Sequence, residues 1–181
     1  MRAIVLGRFQ PFHNGHAFLV KHAAAAFPDE PVMVAVGSAQ SEWEPNNPWS
    51  ADDRASMIRA WATSTGLEVE VCMIEDINDP PNWVNHARKH HGEGVLVTSD
   101  ESTAALYKDA EFPVHDVVLN ERERYEGWRV RQTAKMLSTV YDDDAVREVL
   151  SATVPLAVIE WLIEQDALFR LSTFETGVHA G

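Results

Sequence analysis

The chain reads as short apolar runs alternating with longer stretches in which apolar residues recur every three or four positions. Runs at 2–6, 32–36, 67–74, 94–97 and 114–118 predict five strands, several of them apolar at consecutive positions, as strands buried on both faces must be. Between them, 15–27, 51–63 and 83–91 predict helices and 101–107 a further short one; Ser50 and Asp53 have the spacing of a capping box at the start of the second. Strand and helix alternating in this way predict a parallel sheet. After the last strand the pattern is helical only, at 127–138, 143–150 and 155–165, with Thr153 placed to cap the last of these and Pro155 tolerated in its first turn. The fold class is therefore α/β: a parallel sheet of about five strands flanked by helices, with a C-terminal helical cap. The order of the strands does not follow from the pattern.

A length of 181 residues suits one domain with one sizeable core. Within it, 1–120 form the α/β core, 121–171 the C-terminal helical part and 172–181 a frayed tail. The balance of 45% hydrophobic and 24% charged residues is that of an ordinary globular protein. A net charge of −13 repels a phosphodiester backbone and argues against a nucleic-acid partner. The opening apolar run is too brief for a signal peptide, and no stretch approaches the roughly 18 apolar residues of a membrane span. Cys72 is the only cysteine, which excludes intrachain disulfides; a cytoplasmic location without a membrane partner is the expectation. The run Asp142-Asp143-Asp144 precedes a predicted helix, where acids are favoured, and reads as a solvated helix start.

The candidate chemistry lies where the first strand ends. Residues 7–16, GRFQPFHNGH, lead from that strand into a helix beginning near Gly15. Gly7 lets a ligand approach the backbone, and the helix N-terminus directs unpaired N–H groups and the positive end of its dipole at an anion. Such a site suits a triphosphate. His13 and His16 are three apart, so their imidazoles converge if the loop tightens into the first helical turn. Preplaced donors there would stabilise the charge that builds as a pentacovalent α-phosphorus forms and pyrophosphate departs. A structural or surface role is the ordinary reading of a histidine, and metal ligation by the pair lacks an evident third ligand. Gly37, Ser38 and Gln40 follow the second strand, where open α/β sheets place ligands; a plain strand-to-loop turn is the alternative. Asp53 and Arg54 fall in the first turn of a helix, where a carboxylate is stabilising without any function, and neither is assigned to the site.

GRFQPFHNGH resembles the signature of archaeal-type nicotinamide mononucleotide (NMN) adenylyltransferases of the HxGH nucleotidyltransferase superfamily. The likeness extends to Gly37-Ser-Ala-Gln40, to NPWSADDR at 47–54, to Asp76-Ile77 followed by Trp83-Val84, and to Arg122-Glu-Arg-Tyr125 with Gly127 and Arg131. The resemblance implies a Rossmann-like fold in which Arg8, His13 and His16 are catalytic. ATP would be held by Gly7, Arg8, Phe9, Gln10, His13, Gly15, His16, Gly127, Arg129 and Arg131. Gly37, Ser38, Gln40, Trp83 and Arg124 would hold the acceptor, with Trp83 stacked on the nicotinamide ring, as a pyridinium cation on an indole allows; a core tryptophan on an amphipathic helix is the other reading. Mg²⁺ would bridge the phosphates without protein ligands. The acceptor's 5′-phosphate would attack ATP directly and in line, giving NAD and pyrophosphate, and a homo-oligomer is implied.

The chain departs from the family pattern at several positions. Glu126 and Trp128 stand where Ser and Thr belong in a second phosphate motif, so Mg²⁺ or Arg129 would have to offset the Glu126 charge. Arg122, Arg124, Arg129 and Arg131 together can replace lost phosphate contacts. Asn46 stands for a frequent Arg, and Pro80 lies near an amide that recognises nicotinamide. These departures leave two alternatives standing, another phosphorylated acceptor or a nucleotide-binding protein without turnover.

Overall fold

The computed structural model describes residues 1–120 and 122–174. Five strands, β1 (Ala3–Gly7), β2 (Val32–Val36), β3 (Val69–Met73), β4 (Val95–Thr98) and β5 (Val114–Asp116), form one sheet in the order β3-β2-β1-β4-β5. Every pairing is parallel. The crossovers run through α1 (Asn14–Ala26), α2 (Ala51–Thr65), α3 (Pro80–His91) and α4 (Glu101–Asp109). This is the predicted fold class, and each predicted strand and helix has its counterpart.

Side chains alternate across each strand, and this divides the core. Ala3 and Val5 of β1, Val32, Val34 and Val36 of β2 and Val97 of β4 point to one face. Ile4, Met33, Ala35 and Leu96 point to the other. The second face is covered by α3 and α4 through Val84, Ala87 and Tyr107. The first is covered by α1 and α2 and by the C-terminal helices α5 (Gly127–Leu137), α6 (Asp143–Leu150), α7 (Leu156–Glu164) and α8 (Phe169–Ser172). With both faces covered, the central strands have no solvent side, which explains their uninterrupted apolar sequence.

The C-terminal helices are tied to the core by polar contacts as well. Trp49, fully buried in the segment before α2, donates its indole N–H to the Ala167 carbonyl (3.0 Å). Arg170 in α8 pairs with Asp53 (2.8 Å), donates to the Pro48 carbonyl (3.0 Å) and lies 4.2 Å above the Trp43 ring. The Ser50–Asp53 capping box is present, with reciprocal bonds of 3.1 and 3.2 Å.

Three local expectations differ from the structure. Thr153 does not cap α7: Pro155 holds that position, while the Thr153 carbonyl accepts the Asn14 N–H at the start of α1 (2.8 Å). α8 and a 3-10 turn at Arg122–Tyr125 were not foreseen, because four-residue elements carry too little periodicity to be seen. Of the tail expected at 172–181, Ser172 closes α8 and the Phe174 carbonyl accepts from Lys135 (3.0 Å), while 175–181 lie outside the described residues. Among the described residues no helix is long and apolar enough to cross a membrane.

Candidate active site

The strand order reverses between β1 and β4, whose carboxyl ends, Gly7 and Thr98, flank the switch point where open α/β sheets hold ligands. Two cavities open there. One, of about 430 Å³, is lined by Arg8, His13, Gly15, His16, Arg122, Glu126, Gly127, Trp128 and Arg131. The other, of about 740 Å³, is lined by Gly7, Gly37, Ser38, Asp76, Asp79, Pro80 and Trp83. Leu6, Arg8 and Asp100 belong to both walls, so the two spaces meet at the end of β1.

The loop between β1 and α1 is shaped by its own buried side chains. Phe9 takes a left-handed backbone conformation (φ 54°) and turns its ring under Gly7, where a Cβ would come within 3.1 Å of it. Glycine at position 7 thus relieves a tight contact with the Phe9 ring. The Gln10 amide is spent on the Trp49 backbone, donating at 2.8 Å and accepting at 3.1 Å. The Gln10 backbone carbonyl accepts from Arg131 (2.9 Å), which positions that guanidinium in the first cavity. At Gly15 a Cβ would stand 2.9 Å from Tyr125 Cβ, so glycine lets the Arg122–Tyr125 turn close on α1.

His13 occupies the N-cap position of α1, and its backbone N–H donates to His16 Nδ1 (3.2 Å). The two rings stack with centroids 3.6 Å apart. Burial, reinforced by the nearby Arg131 charge, pushes the His13 imidazole down to about 3. Burial, with His13 adjacent, pushes His16 well below its ordinary value. Both rings are therefore neutral at pH 7. Because His16 Nδ1 accepts, its single N–H sits on Nε2, while His13 Nδ1 is buried without a partner among the described residues. Each imidazole offers a ligand at most one donor, and the positive charge of this cavity comes from Arg8, Arg122 and Arg131. Burial, together with Arg8, lowers Arg131 only to about 10, so it stays a cation.

Among the described residues, the two carboxylates lining this cavity, Asp100 and Glu126, have cationic partners. Although burial works against it, bonds from Ser102, Thr103 and Arg122 (2.6 Å) hold the Asp100 carboxyl well below the usual range. Glu126 Oε2 accepts from the Trp128 indole N–H (2.7 Å) and from Arg129 (3.2 Å), and Arg129 lies 4.6 Å above the Trp128 ring. Arg129, one of the two groups that could offset the Glu126 charge, is paired with it.

Of the residues assigned from sequence, Arg8, His13, Gly15, His16, Gly127 and Arg131 come together on the first cavity, and Gly7, Gly37, Ser38 and Trp83 on the second. The others lie elsewhere. Phe9 and Gln10 are packed inside the protein, where they shape the loop. Gln40 is bonded to Asp76, accepting its N–H at 2.9 Å, and lines neither cavity. Arg124 and Arg129 line a separate surface cleft with Glu123 and Thr133, because successive residues of a turn and a helix point in different directions.

Sequence reasoning missed Arg54. Its side chain is wholly buried and donates to four carbonyls, those of Ser50 (3.1 Å), Arg8 (2.8 Å), Gly37 (2.8 Å) and Ser38 (3.1 Å). It joins the ends of β1 and β2 beneath the cavities. A cation in the first turn of a helix opposes the helix dipole, and that mismatch was the available signal. Asp100 was also missed; it carries no local motif and reaches the site only through the sheet order.

A parallel sheet whose switch point joins an arginine- and histidine-lined cavity to an aromatic one defines a nucleotide-binding α/β enzyme of the nucleotidyltransferase type. The chain belongs to the cytidylyltransferase-like family, which matches residues 4–160. It is 32% identical, over 95% of this chain and 93% of the relative, to the nicotinamide-nucleotide adenylyltransferase of Methanolobus tindarius. It is 30% identical, over 94% and 85%, to the enzyme of that name from Haloarcula marismortui. The resemblance first read from residues 7–16 thus extends over nearly the whole chain. Among solved structures, a bifunctional NMN adenylyltransferase/ADP ribose pyrophosphatase from Francisella tularensis, complexed with AMP and a manganese ion, shares the fold. Its TM-score is 0.63 at 17% identity, over 97% of this chain and 57% of that one. The nicotinic acid mononucleotide adenylyltransferase of Plasmodium falciparum gives a TM-score of 0.58 at 9% identity, over 93% and 96%.

Proposed function

We propose that this protein is a nicotinamide-nucleotide adenylyltransferase, which transfers the AMP part of ATP to the 5′-phosphate of NMN with release of pyrophosphate. The observation that carries this reading is the meeting of the two cavities on Arg8 and Asp100. ATP occupies the first, with its phosphates facing Arg8, Arg131, the His16 Nε2–H and the N-terminal N–H groups of α1 and α5. NMN occupies the second, with its ring against Trp83 and its phosphate at Arg8. Arg8 then touches both reacting phosphates and holds the attacking oxygen in line with the α-phosphorus, so positioning and charge stabilisation carry the reaction. The donors are aimed before substrate arrives and need no reorganisation as charge moves to the pyrophosphate.

Mg²⁺ belongs to this reading as the counter-ion of the triphosphate. It would be carried into the first cavity by the triphosphate and would supply charge neutralisation at the departing pyrophosphate.

The test is pyrophosphate release from ATP, Mg²⁺ and NMN, with the dinucleotide identified chromatographically. Activity is expected, together with a loss of roughly 100-fold or more in His16→Ala, the scale of one lost transition-state donor. Folded wild-type protein that is inert with NMN would overturn the reading, and a parallel panel of other phosphorylated acceptors would reveal a different acceptor.

A further inference from the structure

We propose that Asp76 and Asp79 are specificity-determining carboxylates that read the positive charge of the acceptor's ring. The second cavity then takes a cationic pyridinium nucleotide in preference to a neutral dihydropyridine or to a ring that carries a carboxylate. This rests on the assignment of that cavity to a pyridine mononucleotide.

The charges on the cavity wall motivate it. Asp76, Asp79 and Asp100 face the space together with one cation, Arg8. Asp100 is taken up by Ser102, Thr103 and Arg122, and Arg8 lies on the wall shared with the first cavity, at the phosphate end. The wall formed by Asp76, Asn78, Asp79, Pro80 and Trp83 therefore presents two carboxylates beside an indole. Their hydrogen bonds come from neutral amides: Gln40 donates to Asp76 (3.2 Å) and Asn82 to Asp79 (2.8 Å). Both carboxylates are thereby oriented.

Asp79 is the N-cap residue of α3, yet its side chain caps none of that helix's N–H groups. The N-terminus of α3 brings roughly half a positive charge to this wall, and the Arg54 guanidinium interacts with Asp76 from its buried position, but the groups that face the cavity here are the two carboxylates. Trp83 is half-buried and makes a T-shaped contact with Tyr107 (centroids 6.3 Å, 65° between planes). The Tyr107 hydroxyl is in turn bonded to His91 Nε2 (3.0 Å), so the indole has a fixed support. An indole face and two carboxylates all favour a cation. Loss of the ring's charge on reduction removes that attraction, and an added carboxylate meets repulsion.

The experiment compares kcat/KM for NMN, for its reduced dihydropyridine form and for nicotinic acid mononucleotide, in the wild type, Asp76→Asn, Asp79→Asn and the double variant. The wild type should favour NMN over the reduced form by about tenfold or more, and each substitution should lower that ratio about fivefold, ~1 kcal/mol, as for a solvent-facing charge pair. In the wild type the ratio should also shrink as salt rises, which tests the idea without any variant. A wild-type ratio near unity, or a ratio unchanged in the double variant and insensitive to salt, would overturn the proposal. Calorimetric binding of 1-methylnicotinamide and its dihydro analogue provides an arm that needs no turnover. If the wild type adenylylates no pyridine nucleotide but still binds the cation selectively through Asp76 and Asp79, the proposed activity fails and the charge selectivity stands; equal binding of both analogues sinks the latter.

Discussion

Replacing Arg54 should loosen both cavities at once. Its guanidinium, with no solvent exposure, bridges the carbonyls of Arg8, Gly37, Ser38 and Ser50, so one side chain sets the spacing of the ends of β1 and β2 and the start of α2. Burial, with Arg8 nearby, lowers it to about 10, still far enough above neutrality that it is charged at pH 7. Lys has three donors on one compact ammonium and cannot span four carbonyls, while Met spans none. The Ser38 and Ser50 carbonyls keep backbone donors, the N–H groups of Ser41 and Arg54, so Met strands the Arg8 and Gly37 carbonyls; at ~1–3 kcal/mol for each stranded carbonyl this gives roughly 2–6 kcal/mol for Arg54→Met and roughly 1–3 kcal/mol for Arg54→Lys, which can still reach one of the two. For a chain of this length each kcal/mol lowers Tm by ~2–4 °C, so the Met variant should melt roughly 10 °C or more below the wild type. Arg8 and the Gly37-Ser38 turn line the two candidate cavities, and a displacement of about 1 Å there should lower kcat/KM roughly 100-fold. Calorimetry gives the first quantity; pyrophosphate release, measured well below the variant's own Tm, gives the second. An Arg54→Met protein with the wild-type Tm and unaltered kcat/KM would refute the argument.

Three further outcomes follow from the same geometry. His13, His16 and His91 are all lowered chiefly by burial, so the unfolded chain takes up their protons near pH 6.5 while the folded chain does not. Stability should be complete above that pH and fall below it, down to about 3 for His13, by up to about 1.4 kcal/mol per pH unit for each histidine; urea melts equally stable at pH 7.5 and pH 5 would contradict this. A triphosphate beside the two imidazoles favours their charged forms, so ATP binding below neutrality should draw in protons, seen as calorimetric heats that depend on the buffer's ionisation enthalpy; heats equal in all buffers would count against it. Gly15→Ala sets a Cβ 2.9 Å from Tyr125 Cβ and 3.1 Å from the His13 ring, so it should push the Arg122–Tyr125 turn away and raise the KM for ATP roughly tenfold, the effect of ~1–3 kcal/mol of overpacking; an unchanged KM would show that the turn yields freely.

Local pattern carried much of this protein. The run Val32–Val36 is apolar at every position because both of its faces are covered, and the same signal located the other strands and the helices between them. The ten residues 7–16 pointed to a candidate phosphate site because a strand, a glycine and a helix N-terminus are adjacent in sequence and need no distant partner. Tertiary structure alone decided the rest. Strand order brought Thr98 and Asp100 beside Gly7, and no local feature of either segment encodes that neighbour. It turned Phe9 and Gln10 inward and sent Arg124 and Arg129 to another surface, since the direction of a side chain depends on turn geometry that residue type does not reveal. It also made Arg54 a bridge between two loops and left His13 and His16 without charge. Burial and pairing are properties of packed neighbours, and those neighbours are assembled only when distant parts of the chain meet.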